Sequence, residues 1–254
     1  LRVHLDASTF TLLISTHSRF ELLSEQLSYY SASPMISTIV VTWHNMNIKA
    51  PPDARVNGTY IRFESPTTDS LNNRFQPLAY ITTEAVFILD DIKLHLQDMH
   101  NMFAAWKENK QNLVGASPRW VDGGSSEPGS GGRASAPHNL AYLTQSELRS
   151  LILSIVAAEF NCEDIGMNFV VNAARSSANP PGADAAPLFV RPLHRIGDFG
   201  KMGDTGLHQK KSHTTARTDC LNQMNRAFWQ ATGQTGLLHA GRLGFLSERG
   251  AMCR

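Results

Sequence analysis

The sequence predicts an α/β fold built around a mostly parallel sheet. Short apolar segments rich in β-branched residues alternate with longer segments whose apolar residues recur at helical spacing. One short segment, Ala85–Leu89, is apolar throughout, which is typical of a strand covered on both faces. With 254 residues the chain can bury roughly three quarters of its unfolded surface, so we expect a large core.

The first 120 residues contain four predicted strands and two predicted helices. Each strand is a short run of apolar or β-branched residues bounded by polar or turn residues. The strands are expected at 10–16, 38–42, 60–63 and 85–89. The helices are expected at 20–30 and 98–107, where apolar residues recur every three or four positions. Strands and helices that alternate in this way indicate an α/β unit with a mostly parallel sheet.

The second half is predicted to be richer in helices. Apolar spacing indicates helices at 148–160, from 164 to 174 and at 220–229, with a short strand at 188–190. Two stretches lack this spacing. Residues 122–137 are rich in glycine, serine and proline, and residues 196–216 are rich in glycine, lysine and histidine. We expect a flexible loop at the first and an irregular loop at the second.

Charge and motif content exclude several classes of protein. The chain has 23 basic and 22 acidic residues, a net charge of +1, so partners such as bulk nucleic acid or an anionic membrane surface are not expected. No apolar run approaches the roughly 20 residues that cross a bilayer. No glycine-rich phosphate loop or nucleophile elbow is present, which argues against P-loop NTPases, kinases and α/β-hydrolases.

The three cysteines, Cys162, Cys220 and Cys253, leave two interpretations open. No pair has the spacing of a zinc site, so they are either three buried thiols or one disulfide with one cysteine left over. Asn57-Gly58-Thr59 is an N-glycosylation sequon, which fits a lumenal chain.

Two acidic pairs are the candidates for chemistry. Asp90-Asp91 follows the apolar strand at its carboxyl end, where open α/β sheets bind ligands, and paired carboxylates suit a hard divalent cation. Glu163-Asp164 precedes a predicted helix and could stabilise charge on a sugar or act as a base. Both pairs are equally typical of a solvated strand end or a helix cap.

Three arginines are candidates for binding phosphate. Arg217 follows Ser212-His213 in a polar segment, and a guanidinium there could close over a phosphate leaving group. Arg19 and Arg74 each lie near a predicted strand. The alternative for all three is a basic surface position.

Together these segments resemble the exostosin-type glycosyltransferase domain, in the form typical of its plant and algal branch. The resemblance covers roughly residues 8–230, and its most specific stretch is Asn161-Cys162-Glu163-Asp164-Ile165. The other matching stretches, in the order of the family, are Phe10–Leu13 with Thr16–Arg19, Ile39–Asn45 with Lys49–Pro51, Ser70–Phe75, Thr83–Asp91, Val114–Arg119, and Ser212-His213 with Arg217 and Cys220–Asn222.

The resemblance implies a GT-A fold with helices on both faces of the sheet. It implies a nucleotide-binding half at about 8–120, an acceptor-side half at about 138–230 and a poorly matched tail at 231–254. The implied reaction is retaining transfer of a sugar from a UDP-sugar, typically a UDP-N-acetylhexosamine, to a glycan or glycolipid, with Mn²⁺. A Golgi or endoplasmic reticulum lumenal location is also implied, with any membrane anchor outside these 254 residues.

The resemblance also implies a role for individual residues. Asp164 would lie beside the reacting sugar with Glu163 next to it, and these are the implied catalytic carboxylates. Asp90 and Asp91 would bind the metal. Cys162 would pair with Cys220, leaving Cys253 outside the bridge. The implied contacts to the nucleotide sugar are Arg19, Asp69, Arg74, Asp90 and Arg217.

A second interpretation follows from departures from the family pattern, which include a shorter stretch between Arg119 and Cys162 and a common contact replaced by Ser15. The family usually has three consecutive aspartates where this chain has two, and His44 replaces an asparagine that usually contacts the nucleotide. A catalytically inactive domain of the same fold, binding a nucleotide sugar, a glycan or a partner protein, would carry such changes.

Overall fold

The chain forms an α/β structure around a mostly parallel sheet, which confirms the predicted fold class. The computed structural model describes residues 5–75, 81–90, 92–110, 112–116, 121–122, 125–126, 133–134, 146–178, 188–198, 213–232, 245–246 and 252–253. Asp91 therefore lies outside the described residues, as do Ser212 and most of the predicted loop at 122–137 and of the tail at 231–254.

Fourteen strands and five helices lie within the described ranges. The strands are β1 (Asp6–Thr16), β2 (Ile36–Trp43), β3 (Ala54–Val56), β4 (Thr59–Glu64), β5 (Thr83–Leu89), β6 (Ile92–Lys93), β7 (Val114–Gly115), β8 (Val121–Asp122), β9 (Ser125–Ser126), β10 (Arg133–Ala134), β11 (Leu188–Phe189), β12 (Gly197–Asp198), β13 (Phe245–Leu246) and β14 (Met252–Cys253). The helices are α1 (Phe20–Tyr30), α2 (Leu96–Glu108), α3 (Ser146–Glu159), α4 (Glu163–Ala178) and α5 (His213–Thr232), with a 3₁₀ turn at Leu71–Phe75. Each predicted strand and helix overlaps one of these elements.

The main sheet has eight strands in the order β11-β7-β10-β5-β1-β2-β4-β3. The four longest strands, β5, β1, β2 and β4, run parallel to one another, so their carboxyl ends share one edge. The chain passes from β1 to β2 on one side and later returns to β5 on the other side of β1. In open α/β sheets, ligands bind at the carboxyl edge where the strand order changes direction in this way.

The hydrophobic core lies on the two central strands. Phe10 and Leu12–Ile14 of β1 and Ala85–Leu89 of β5 are all buried, because helices and loops cover the strands they come from. Phe10 packs its ring between Phe87 and Phe103, with centroids 5.7 and 5.1 Å apart, and so joins the sheet to α2. A rigid core under β1 and β5 gives the residues at their carboxyl ends a fixed support.

Helices α3, α4 and α5 pack against one another beside the sheet. Gly166 in α4 permits the close approach, since a Cβ there would lie 2.6 Å from Cγ2 of Ile152 and 3.5 Å from Cε of Met224. A disulfide joins Cys162, before α4, to Cys220 in α5, which is the pairing that the family resemblance implies. Among the described helices, none has the length and apolar content needed to cross a membrane.

The structure shows regular elements within the stretch predicted as an irregular loop and within the stretch predicted as a flexible loop. Within 196–216, Gly197–Asp198 pairs with Lys93 and Ile92, and α5 already begins at His213 instead of near Cys220. The early turns of α5 are polar, so apolar spacing could not reveal them. Within 122–137, Arg133–Ala134 lies in the main sheet between β5 and β7. These pairings depend on distant partners that local composition does not specify.

Candidate active site at the carboxyl edge of the sheet

The candidate site lies where β1, β2, β4 and β5 end. The backbone N–H of His44, just after β2, donates to the carbonyl of Thr16, the last residue of β1, at 2.8 Å. Asp90 follows β5 directly, and Arg74 comes from the 3₁₀ turn between β4 and β5. Arg19 is half-buried on the same edge, immediately before α1. The fold thus brings residues from four separate segments to one edge.

Asp90 is held from two directions. Its Oδ2 accepts a hydrogen bond from Nη1 of Arg74 at 2.7 Å. Its carbonyl oxygen accepts one from Nε2 of the buried Gln26, at 3.2 Å, and the same amide donates to the carbonyl of Ile92 at 3.1 Å. Gln26 therefore fixes the backbone on both sides of Asp91, the second aspartate of the pair.

Sequence reasoning missed Gln26, although a signal was present. It lies on α1 with Leu23 and Tyr30, the other two buried residues of that helix. A polar residue among the apolar positions of a helix has to find buried partners, because an unsatisfied buried amide is costly. Here the partners are the backbone carbonyls around the aspartate pair.

Arg74 connects the end of β5 to the start of α4. Its side chain is only 6% exposed, and Nη1 lies 3.3 Å from Oε1 of Glu163, which is 8% exposed. Burial lowers the pKa of the Arg74 guanidinium, but the surrounding carboxylates of Asp90, Glu163 and Asp164 raise it more, so its pKa lies above the ordinary value. Arg74 is therefore a permanent buried cation between two acidic groups that are distant in sequence.

A tight turn presents Glu163 and Asp164. Phe160 and Cys162 both have left-handed backbone conformations, with φ of 45° and 73°, and they reverse the chain between α3 and α4. Between them, Oδ1 of Asn161 accepts hydrogen bonds from the backbone N–H of Cys162 at 2.8 Å and from Nη1 of Arg217 at 3.3 Å. Asn161 is a second site residue for which the sequence alone assigned no role.

Arg217 forms a buried ion pair with Asp164. Nη2 of Arg217 lies 2.7 Å from Oδ2 of Asp164, and both side chains are less than a tenth exposed. Arg217 lies one turn before Cys220 on α5, and the disulfide to Cys162 ties this part of α5 to the turn that carries Asp164. Such a bridge typically contributes about 2–4 kcal/mol to stability, and here it also holds the guanidinium against its carboxylate.

His44 and Asp69 lie at the β2 and β4 side of the site. Nδ1 of His44 is 3.4 Å from Oδ1 of Asp69, whose carboxylate is 44% exposed. Nε2 of His44 is buried and has no hydrogen-bond partner among the residues that the structure describes. Burial lowers the pKa of the His44 imidazole, Arg74 lowers it further, and Asp69 and Asp90 offset this only in part. The imidazole is therefore neutral at neutral pH.

The lowered pKa of His44 predicts a pH-dependent stability. The unfolded chain takes up a proton at His44 as the pH falls below about 6.5, whereas the folded protein resists it, so the free energy of unfolding should decrease below that pH. The upper limit is about 1.4 kcal/mol per pH unit. His44→Asn should give a shallower slope in urea unfolding measured between pH 7 and pH 5, and equal slopes for both proteins would contradict the prediction. His17→Asn is the matched control, because His17 is exposed.

The described part of the site carries an excess of negative charge. Four carboxylates, Asp69, Asp90, Glu163 and Asp164, lie with the three guanidinium groups of Arg19, Arg74 and Arg217, which leaves one net negative charge. Nearby carboxylates are oxygen donors of the kind that hard divalent cations prefer. No group of three histidine, cysteine or acidic side chains within the described ranges is arranged to hold a metal ion by itself.

Comparison with known proteins assigns the chain to a family. The model of the glycosyl transferase family 64 domain matches residues 10–128 and 134–239. The match spans both segments that supply the site, from β1 to α2 and from α3 to α5.

Animal and plant proteins resemble the chain over most of its length. Exostosin-like 2 of Mus musculus is 26% identical over 242 residues, covering 85% of this chain and 71% of that protein. Glycosylinositol phosphorylceramide mannosyl transferase 1 of Arabidopsis thaliana is 27% identical over 257 residues, covering 86% and 72%. Glucosamine inositolphosphorylceramide transferase 1 of the same plant is 32% identical over 242 residues, covering 86% of this chain but 30% of that longer protein. The chain is a glycosyltransferase that belongs to glycosyl transferase family 64, which confirms the exostosin-type resemblance.

Proposed function

We propose that this chain transfers a sugar, an N-acetylhexosamine, from a UDP-sugar to a glycan or glycolipid acceptor, with retention at the anomeric carbon. The observation that carries the proposal is the two sets of ion contacts at the carboxyl edge, Asp90–Arg74–Glu163 and Asp164–Arg217. The names of the plant relatives support a glycolipid acceptor, since two of them act on inositolphosphorylceramides.

The Arg217–Asp164 pair can stabilise the charges that form on both sides of the bond between the anomeric carbon and the diphosphate oxygen. As the nucleoside diphosphate departs, negative charge grows on its oxygens and the Arg217 guanidinium stabilises it through charge-assisted hydrogen bonds. The anomeric carbon becomes oxocarbenium-like, as in glycoside hydrolysis, and the Asp164 carboxylate stabilises that positive charge. Because the two side chains already lie in contact, Arg217 would bind the leaving diphosphate directly beside the sugar that Asp164 stabilises.

The proposal includes a Mn²⁺ ion held by Asp90 and Asp91. Oxygen donors and the excess of negative charge fit a hard cation, and diphosphate oxygens would complete its ligands. When bound, the ion supplies Lewis-acid stabilisation of the departing diphosphate. Arg74 meanwhile orients the Asp90 carboxylate, and Gln26 fixes the backbone around Asp91.

We also propose that the domain works in the lumen of the Golgi or endoplasmic reticulum. The Cys162–Cys220 disulfide supports this, since structural disulfides form in oxidising compartments.

Nucleotide binding and turnover test the proposal together. We expect UDP with Mn²⁺ to raise the melting temperature more than either alone, because a ligand that binds only the folded state stabilises it. Across a panel of UDP- and GDP-sugars, transfer should be fastest with UDP-N-acetylhexosamines. Asp91→Ala should remove the Mn²⁺-dependent part of UDP binding, whereas Asp53→Asn, an exposed carboxylate on the loop before β3, should not.

The outcomes separate the proposal from its alternative. UDP binding without transfer to any acceptor would favour the inactive binding module. The absence of binding to every nucleotide tested would overturn the proposed site itself. Faster transfer from a GDP-sugar would overturn the donor assignment but leave the site in place.

A further inference from the structure

The hairpin turn between β3 and β4 carries the only N-glycosylation sequon in the 254 residues, Asn57-Gly58-Thr59. Asn57 has a φ of 49° and Gly58 a φ of 86°, the pair of left-handed conformations that a two-residue hairpin turn requires. Both residues are exposed. An exposed Asn-Gly turn leaves room for a large substituent on the asparagine side chain.

The turn lies on the edge of the sheet opposite the candidate active site. β4 runs parallel to β2 with Tyr60 beside Thr38 and Glu64 beside Thr42, so Asn57, before β4, is at the amino edge. Asp90 and His44 follow the carboxyl ends of β5 and β2, and Arg74 joins Glu163 to Asp90 at that edge. A glycan at Asn57 would therefore leave nucleotide and acceptor access open.

The contacts of the sequon are compatible with a substituted amide. Nδ2 of Asn57 donates to Oγ of Ser31 at 3.0 Å and more weakly to the carbonyl of Ser28 at 3.4 Å. A glycosylated amide nitrogen keeps one hydrogen, so the stronger of these bonds can persist. Thr59 is buried and its hydroxyl donates to the carbonyl of Ser31 at 3.0 Å. Because this hydroxyl is buried in the folded protein, the enzyme that transfers the glycan has to bind the sequon before the domain folds.

We infer that Asn57 is a site of N-linked glycosylation. Nδ2 forms a bond to the anomeric carbon of an oligosaccharide carried on a polyprenyl diphosphate, and the bond from that carbon to the diphosphate oxygen breaks. The diphosphate leaves with the electron pair, and Nδ2 gives up one proton to a base of the transferring enzyme. The Cys162–Cys220 disulfide supports passage through the oxidising compartment where this reaction occurs. The inference goes beyond the proposed function, because here the chain is the acceptor and its own activity plays no part.

The test is expression of the whole chain through the secretory pathway of a eukaryotic cell, behind a signal peptide. We expect one discrete increase in mass that an N-glycan amidase removes, with Asn57 converted to Asp in the released peptide. Secreted, folded protein whose Asn57 peptide carries no glycan would overturn the inference. This outcome is independent of whether the protein binds UDP.

A matched pair of variants at Thr59 distinguishes loss of the sequon from an effect on folding. Thr59→Ser preserves the sequon and the hydroxyl that contacts Ser31, and it should keep the mass increase. Thr59→Ala removes both and should lose the increase, as should Asn57→Gln. An increase that survives in both Asn57→Gln and Thr59→Ala would also contradict the assignment. Enzymatic removal of the glycan from the folded protein should leave UDP affinity unchanged, since the turn is at the opposite edge of the sheet.

Discussion

Asp164→Asn should lower the rate of sugar transfer by roughly a hundredfold or more. The amide introduced by this substitution would keep the shape of the carboxylate but lose the negative charge that stabilises the oxocarbenium-like carbon, and one such interaction is typically worth about 3 kcal/mol. UDP affinity should change much less, because in the proposed site the diphosphate contacts Arg217 and the metal and not Asp164. Steady-state kinetics with the preferred UDP-sugar, beside UDP titration of the same protein, measures both quantities.

Glu159→Gln is the matched control for this substitution. Glu159 ends α3 just before the same turn, and its Oε1 accepts a hydrogen bond from Nε2 of Gln223 instead of facing an arginine of the site. It should transfer sugar at nearly the original rate. An Asp164→Asn protein with normal turnover would refute the role of Asp164. A parallel fall in turnover and in melting temperature in both variants would indicate a structural effect of the turn.

Arg74→Met should destabilise the fold by about 3–5 kcal/mol, the usual result of removing one partner from a buried ion pair. The loss arises mainly at Glu163, whose side chain is 8% exposed and would lose its contact with the guanidinium, whereas Asp90 is 39% exposed and can be hydrated. Urea unfolding gives the free-energy difference. Nucleotide binding with Mn²⁺ should weaken as well, because Asp90 loses the group that orients it.

A second substitution distinguishes the charge effect from lost packing. Glu163→Gln added to Arg74→Met should recover part of the stability, since it removes the buried negative charge that Arg74 contacted while keeping the side-chain volume. Arg55→Met is the control, because Arg55 lies exposed on β3 and donates to the carbonyl of Gly58. A cost below about 1 kcal/mol for Arg74→Met would contradict the view that this buried cation holds the two acidic groups together.

Most of the secondary structure was predictable because its signals are local. β1, β2, β4 and β5 are short apolar runs, and α1 to α4 display their apolar residues at helical spacing. The same dependence on local signals explains why the start of α5 and two short strands were not predicted. The first turns of α5 are polar and are held by Arg217 and the disulfide, and the two-residue strands at Arg133–Ala134 and Gly197–Asp198 depend on distant partners.

The residue types at the carboxyl end of β5 and at the start of α4 can be read from the chain alone, and so can the places where carboxylates collect. Their partners follow from the packing of distant segments: Arg74 contacts Asp90 and Glu163, Arg217 contacts Asp164, and Gln26 donates to the carbonyls of Asp90 and Ile92. The physical reason is that strand and helix formation depend mainly on neighbours along the chain. An ion pair depends on which segments, distant in sequence, the packed core brings to the same edge of the sheet.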